Sequence, residues 1–405
     1  MIAARPGGEG SSSALARCVG DARDFLATAF SRQPHRHHAG SFDDLLSLAA
    51  VDAALCGGGL RRPSVRLVRG GVGVDPATWT RRARTGSTWV DDLVDPGRAL
   101  TAFASGDTIV LQSLQRWWPP VTRFCAELDD ALGHRVQANA YLSPAGTEGL
   151  AAHHDSHDVF VLQAHGTKHW VVREPLIDAP LERHRSAPDE AARAPVAFEA
   201  DLGPGDCLYL PRGWIHSASA PTGVSLHLTI GVLSTTAADV VRRLADRAVE
   251  QVTLRRTLPP SAATDLDAAH QVVKDVVGEL VAWLESVDPT EVAEGLVAST
   301  AARRAVPVDG WLLDLAALDS LSDASVVQCR PRLRWSAAVA AGRLRLDLRD
   351  RVLDLPATLD GPVQRLLDGS PHAIGELADV MDAPSRSVLA RRLVRDGALR
   401  IVDGA

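Results

Sequence analysis

The stretch from His153 to His216 restricts the possible folds of this chain more than any other feature. His153 and Asp155 stand two positions apart, so on an extended backbone both side chains leave the same face. His216 follows sixty-one positions after Asp155 (216 minus 155) and must reach the same point from a different strand, which requires a sheet curled back on itself. Two imidazoles and one carboxylate form the ligand set of a mononuclear non-haem iron ion, with the remaining positions open to substrate and oxygen. Of the fourteen histidines, only His153 is followed two positions later by Asp or Glu. The alternative is a polar loop in which His153, His154 and His157 bind nothing.

The second segment supports the metal. Gly203-Pro204-Gly205-Asp206 is a turn sequence and Cys207 to Leu210 a short apolar strand. Pro211 then stops the pairing, and Gly213 permits the bend that aims His216 inward. The spacing Gly205-x5-Pro211-x-Gly213-x2-His216 resembles the second signature of the cupin barrels. The run from Asn139, Tyr141 and Pro144 through Gly149, His153, Asp155, Gln163, Gly166, Lys168 and Trp170 resembles the JmjC-type ribosomal oxygenases. That resemblance is densest over residues 100–235. Ala152 stands where a proline is frequent, His154 where an aromatic or small residue is usual, and Ala220 replaces the signature's later Asn. None of these departures removes a ligand.

The resemblance implies an α+β protein. Its core would be a JmjC double-stranded β-helix (a cupin jelly-roll) with flanking helices, a helical dimerisation region and a C-terminal winged-helix domain. It implies Fe(II) held by His153, Asp155 and His216, with 2-oxoglutarate as cosubstrate and O2 as oxidant. The implied reaction is hydroxylation of a protein side chain, foremost an Arg or His of a ribosomal protein. Lys168 would pair with the distal carboxylate of 2-oxoglutarate. It is one of only two lysines, with Lys274, and a compact ammonium reaches a buried carboxylate where a guanidinium fork needs more room. The alternative for Lys168 is a solvent-facing strand residue. Asn139 and Tyr141 share a strand face and are further candidates for hydrogen bonds to the cosubstrate. His227, on a late strand, either lines the same cavity or is a satisfied core histidine.

At 405 residues the chain is too long for one core. The expected segments are a disordered Gly-rich terminus (1–13), a JmjC/cupin catalytic domain with N-terminal helical decoration (14–235), a helical region (236–305) and a winged-helix-like domain (306–405). A formal charge of −7 argues against nucleic acid as a partner and suits a basic protein substrate. Five scattered cysteines without a Cys-x-x-Cys pair point to free thiols in a reducing compartment. Residues 1–13 lack the apolar core of a secretory signal, and no apolar run approaches the ~18 residues of a membrane span. These features predict a cytoplasmic protein without a membrane partner.

Helical spacing is read over 14–30, from Ser41 as a cap, near 101–104 and over 113–132. Strands are read at 65–68 and 137–142 and on to about residue 233. After residue 235 the period becomes helical, over 237–253 and then in Leu266, Ala269, Val273, Val276, Val277, Leu280 and Leu284. That apolar stripe packs either within the chain or against a second copy; the resemblance favours a homodimer. Helices at 363–367, 373–380 and 387–396 and a strand at 398–402 follow the order of a winged helix. The third helix carries Arg386, Arg391, Arg392 and Arg395, a DNA-reading face or an ordinary solvated one, and the latter is favoured. Two alternative functions remain: a hydroxylase of a biosynthetic precursor peptide, and a non-catalytic metal-binding cupin regulator acting through the winged helix.

Overall fold

A computed structural model describes residues 13–303, 308–348 and 351–402. The chain divides into two compact units that meet in sequence near residue 305. The terminus expected to be disordered lies outside the described residues except for Ser13, which opens the first helix.

Two antiparallel sheets form the core of the first unit. In chain order the strands are β1 (His35–His38), β2 (Val65–Arg69), β3 (Thr108–Leu111), β4 (Arg135–Ser143), β5 (Thr147–Glu148), β6 (Asp158–His165), β7 (Lys168–Arg173), β8 (Val196–Leu202), β9 (Asp206–Leu210), β10 (Ile215–Ala220) and β11 (Ser225–Leu233). The larger sheet runs β1-β9-β6-β11-β4-β3-β2 and closes on the short strand Val72–Gly73; the smaller runs β8-β7-β10-β5. Consecutive strands alternate between the sheets at β6/β7, β8/β9 and β10/β11, the exchange that makes a jelly-roll. Val159, Val161, Leu208 and Leu210 of the larger sheet pack with Trp170, Val172, Ala200 and Leu202 of the smaller, so the two inner faces meet.

The strand sequences follow from what covers each face. In β6, Val159 and Val161 point inward, whereas Phe160 and Leu162 join a second cluster on the outer face. That outer cluster is completed by Leu15 and Cys18 of α1 (Ser13–Val19), Phe25 of α2 (Ala22–Thr28), and Val121, Phe124 and Leu128 of α3 (Pro119–Leu132). Burial on both faces explains a near-continuous apolar run. β4 and β11 alternate instead. Ala138, Ala140, Leu142, Leu226, Leu228 and Ile230 face the helices, and Tyr141, Ser143, His227 and Thr229 face the interior cavity.

Several local expectations are corrected. The helix expected over 14–30 is two, broken at Gly20-Asp21, where the Asp21 carboxylate accepts from the backbone N–H groups of Arg23 and Asp24. Ser41 caps no helix; its hydroxyl accepts from Asp43 N–H in a local turn, and the helix begins at Leu48 with Ser47 as cap. The expected helix over 113–132 is a 3₁₀ turn followed by α3, separated by the Pro119-Pro120 start. Strand β1, a polar edge strand of the larger sheet, and the mostly polar hairpin Thr80–Thr85/Thr88–Val94, a separate two-stranded sheet, were not legible.

Beyond the barrel come α4 (Ala237–Ala248), α5 (Leu266–Ser286) and α6 (Pro289–Arg303). α4 stops five residues before the expected end at Thr253. Arg243 donates to Gly295 O and Ser299 Oγ, tying α4 to α6. None of the twenty-one residues of α5 is buried. No helix among the described residues is long and apolar enough to cross a membrane.

The second unit has its own core, with Val327, Leu344, Leu346, Val363, Leu366, Leu389 and Leu393 at its centre. One sheet runs Pro371–Ala373, Val326–Cys329, Leu399–Val402; another joins Ser336–Ala340, Arg343–Asp347 and Val352–Pro356. The sequence reading missed this second sheet. The helix expected over 373–380 is a 3₁₀ segment, Ile374–Asp379, and the last helix is α7 (Ala383–Arg395), capped by Asp382. On α7, Arg386 pairs with Asp323, Arg391 with Asp319 and Arg392 with Asp396.

Candidate metal centre

His153 and His216 face each other in a single antiparallel β-bridge. His153 N–H donates to His216 O at 3.2 Å, and His216 N–H to His153 O at 2.8 Å. The carbonyl of Asp155 then accepts from Gly213 N–H at 3.0 Å. His153 and Asp155 therefore do not lie on a regular strand, as expected, but on this bridge and the loop before β6. Gly213 has φ +90°, and a Cβ there would sit 2.8 Å from Ile177 O and 2.9 Å from Pro180 Cδ. Only glycine makes this bend without displacing backbone.

The donor atoms of His153, Asp155 and His216 lie within 4.8 Å of one another. His216 Nε2 is 3.8 Å from Asp155 Oδ2, and the two imidazole centroids are 4.5 Å apart. Nδ1 of His153 is 2.8 Å from Ala151 O, and Nδ1 of His216 is 3.1 Å from Trp214 O. A carbonyl only accepts, so each Nδ1 carries a hydrogen, and in the neutral ring it is then Nε2 that offers its lone pair to a metal. Burial, reinforced by neighbouring His153, pushes the His216 pKa down to about 4. Burial alone would raise the Asp155 carboxyl, but His216, His157, His153 and His154 outweigh it and hold it below its ordinary range. Neutral imidazoles beside an ionised carboxylate are the forms that bind a metal, so these residues fit a divalent ion.

His154 takes no part in this arrangement. Its Nε2 lies 3.3 Å from His184 O and its Nδ1 3.2 Å from Ser186 Oγ, which fixes the register that the sequence left open. Just beyond the centre, buried Asp158 accepts from Tyr209 Oη (2.7 Å), Ser31 Oγ (2.7 Å) and Arg212 N–H (2.8 Å). This fully paired carboxylate anchors the loop that carries Arg212 and Gly213.

The triad opens into a cavity between the sheets. Lys168 lines it and is 3% exposed, which removes the solvent-facing alternative. Its Nζ donates to Ser143 Oγ at 2.8 Å, and Ser143 Oγ is 3.1 Å from Thr108 Oγ1. Gln163 Nε2 donates to His165 O, Gly166 O and Ser225 Oγ, fixing the turn that delivers Lys168. Burial lowers the Lys168 pKa to about 8. His227 also lines the cavity, stacked on Tyr141 at 5.0 Å and edge-on to Trp170 at 5.7 Å. Burial, and then Lys168, hold its pKa well below the ordinary value, so it is neutral. Tyr141 lines the cavity, but Asn139 does not: its Oδ1 accepts from Ser113 N–H at 3.0 Å, supporting the backbone ahead of α3. Sequence reasoning missed Ser143, Thr108, Trp170 and Arg66 in the lining, since small hydroxyls and a single Trp or Arg carry no spacing signal.

The JmjC domain family model matches residues 115–240, a span that holds the triad, Lys168 and every strand from β4 to β11. Residues 115–240 are thus similar to JmjC domains. Among curated proteins, ribosomal oxygenase 2 of Mus musculus is 32% identical over 192 residues, 45% of this chain and 41% of that protein. Ribosomal oxygenase 1 of Homo sapiens is 33% identical over 264 residues, 62% of this chain and 38% of that protein. The chain thus spans about two-fifths of the length of these relatives. The YcfD ribosomal oxygenase of Escherichia coli, solved with cobalt and succinic acid, aligns over 94% of this chain and 98% of its own, with TM-score 0.49 and 17% identity. The JmjC-like segment of this chain brings the three candidate ligands and the buried lysine to one cavity.

Proposed function

We propose that this protein is an Fe(II)- and 2-oxoglutarate-dependent dioxygenase that hydroxylates an Arg or His side chain of a protein, a ribosomal protein foremost. The observation that carries this reading is one cavity holding a His153–Asp155–His216 triad at one side and, at the other, an ammonium buried without an acidic partner within hydrogen-bond range. A buried cation of that kind is costly unless a ligand supplies the counter-charge. Around it, Trp170 Nε1 and His227 Nδ1 are buried without hydrogen-bond partners, so the cavity suits an oxygen-rich, anionic molecule. The bound iron would supply activation of dioxygen, coupled to decarboxylation of 2-oxoglutarate. His153, Asp155 and His216 hold the ion on one side and leave its other positions to ligands. Lys168, steadied by Ser143 and Thr108, receives the distal carboxylate; Tyr141 and His227 flank the cosubstrate. The inner-face apolar residues Val159, Val161 and Val110 exclude water.

The names of the similar proteins favour a ribosomal substrate over a precursor peptide. A non-catalytic regulator acting through residues 306–405 has less support, since three of the four α7 arginines are paired with aspartates of the same unit. None of the five cysteines forms a disulfide, which favours a reducing, cytoplasmic setting. Reconstitution of the full chain with Fe(II) under anaerobic conditions, followed by 2-oxoglutarate and oxygen, tests the assignment. Succinate is expected to form, and His216→Ala to abolish both succinate formation and stoichiometric iron. Turnover untouched by His216→Ala would refute the triad.

A further inference from the structure

Among the described residues, the cavity lining contains one carboxylate, Asp155, and that residue belongs to the metal triad. The other ionisable groups of fixed charge in the lining are both cations, Lys168 at the buried end and Arg66 at the exposed end. Their placement follows from register. Arg66 of β2 stands opposite Val110 of β3, Val110 opposite Tyr141 of β4, and Tyr141 opposite His227 of β11. One cross-strand row thus carries a guanidinium, a phenol and an imidazole along the interior face. Arg66 also lies beside the Tyr141 hydroxyl, where its charge opposes the rise that burial gives to the phenol.

Resting on the hydroxylase activity proposed above, we infer that this site selects an uncharged hydrogen-bonding side chain, an imidazole or a carboxamide, and rejects guanidinium and ammonium groups, with Arg66 as the specificity-determining residue. A guanidinium brings a charge and five donors, no acceptor, and requires a carboxylate when water is stripped from it. The described lining residues offer none beyond the metal ligand, and Arg66 meets an incoming cation with like charge. An imidazole or carboxamide both donates and accepts, and finds the Tyr141 hydroxyl and the Arg66 donors along the row. Of the two target residues in the proposed function, this favours histidine over arginine.

The test uses the full-length Fe(II)-loaded protein and five peptide libraries with degenerate flanks and one fixed central residue: His, Asn, Gln, Arg or Lys. Mass spectrometry reads the gain of one oxygen, and succinate is followed with and without peptide. At least tenfold more hydroxylation is expected on one of the three neutral libraries than on either cationic one. In Arg66→Glu the ratio of Arg-library to His-library hydroxylation should rise at least tenfold, and in Arg66→Gln by less, in the same direction. Equal or greater hydroxylation of the Arg or Lys library by the unmodified protein overturns the selectivity. A ratio unmoved by either substitution overturns the role of Arg66. Succinate formed while no library is hydroxylated overturns this inference and leaves the iron and cosubstrate reading standing. Absence of succinate under every condition defeats that reading and this inference with it.

Discussion

At the scale of single residues, Lys168 sets the pH behaviour of the cavity. Its pKa falls from 10.5 to about 8 because burial disfavours the ammonium. Between those two values the unfolded chain still binds the proton that the ligand-free folded protein has lost. Stability of the ligand-free protein therefore rises with pH across that window, and at pH 7 the buried charge costs on the order of 3 kcal/mol. A bound carboxylate reverses the sign, since it needs the charged form. Affinity for 2-oxoglutarate, measured calorimetrically with Mn(II) in place of iron, should fall as pH rises through about 8, approaching tenfold per unit. Lys168→Ala should weaken that binding by about 3–5 kcal/mol at pH 7, remove its pH dependence and leave metal affinity nearly intact. Unchanged cosubstrate affinity would show that Lys168 serves another group. The candidate triad was legible from residue types and the Gly/Pro-framed second segment, although His153 and Asp155 lie on a bridge and a loop rather than on one face of a strand. Lys168 was singled out by its rarity, its strand and the family resemblance, whereas the Asn139 side chain accepts from Ser113 N–H, a partner that period two could not reveal.

At the scale of elements, the bend at Gly213 decides whether His216 faces Asp155. Gly213→Ala meets both a left-handed φ and the Ile177 carbonyl. Gly223, at φ +66° with nothing within 4 Å of an added Cβ, provides the matched control. Gly213→Ala should lose roughly 1–3 kcal/mol or more of stability and at least tenfold in metal affinity, whereas Gly223→Ala should lose only about 1 kcal/mol and bind metal normally. Thermal denaturation and metal titration of the two variants separate these outcomes; equal metal affinity in both would show that the bend does not aim the ligand. The turn before Cys207 and the break after Leu210 were readable from Gly and Pro. The division of α1 from α2 rests on a local cap, Asp21, that the continuous helical spacing masked, and the polar edge strand β1 was not readable because edge pairing is settled by neighbours distant in sequence.

At the scale of the whole molecule, α5 leaves an apolar stripe in water: Leu266 is 84% exposed, Val273 60% and Val277 52%, with Val281 and Leu284 continuing the row. Twenty-one helical residues without one buried side chain gain little from folding unless a second surface covers them. We propose that a second copy of the chain does so, making a homodimer. Val273→Asp with Val277→Asp should then convert a dimer to a monomer in light scattering while the iron-loaded barrel keeps its melting temperature within a few degrees; a monomeric unmodified protein would refute the interface. The amino-acid sequence by itself determined the candidate ligand types, the apolar strands between turns and the helical period after residue 235, because each is a local consequence of spacing and side-chain chemistry. Tertiary structure alone decided that His153 pairs with His216 through a lone bridge, that Ser143 and Thr108 support Lys168, and that Arg66 joins the row leading to His227. Those relations join strands remote in sequence, and their register is set by the packing of two sheets rather than by any neighbour along the chain.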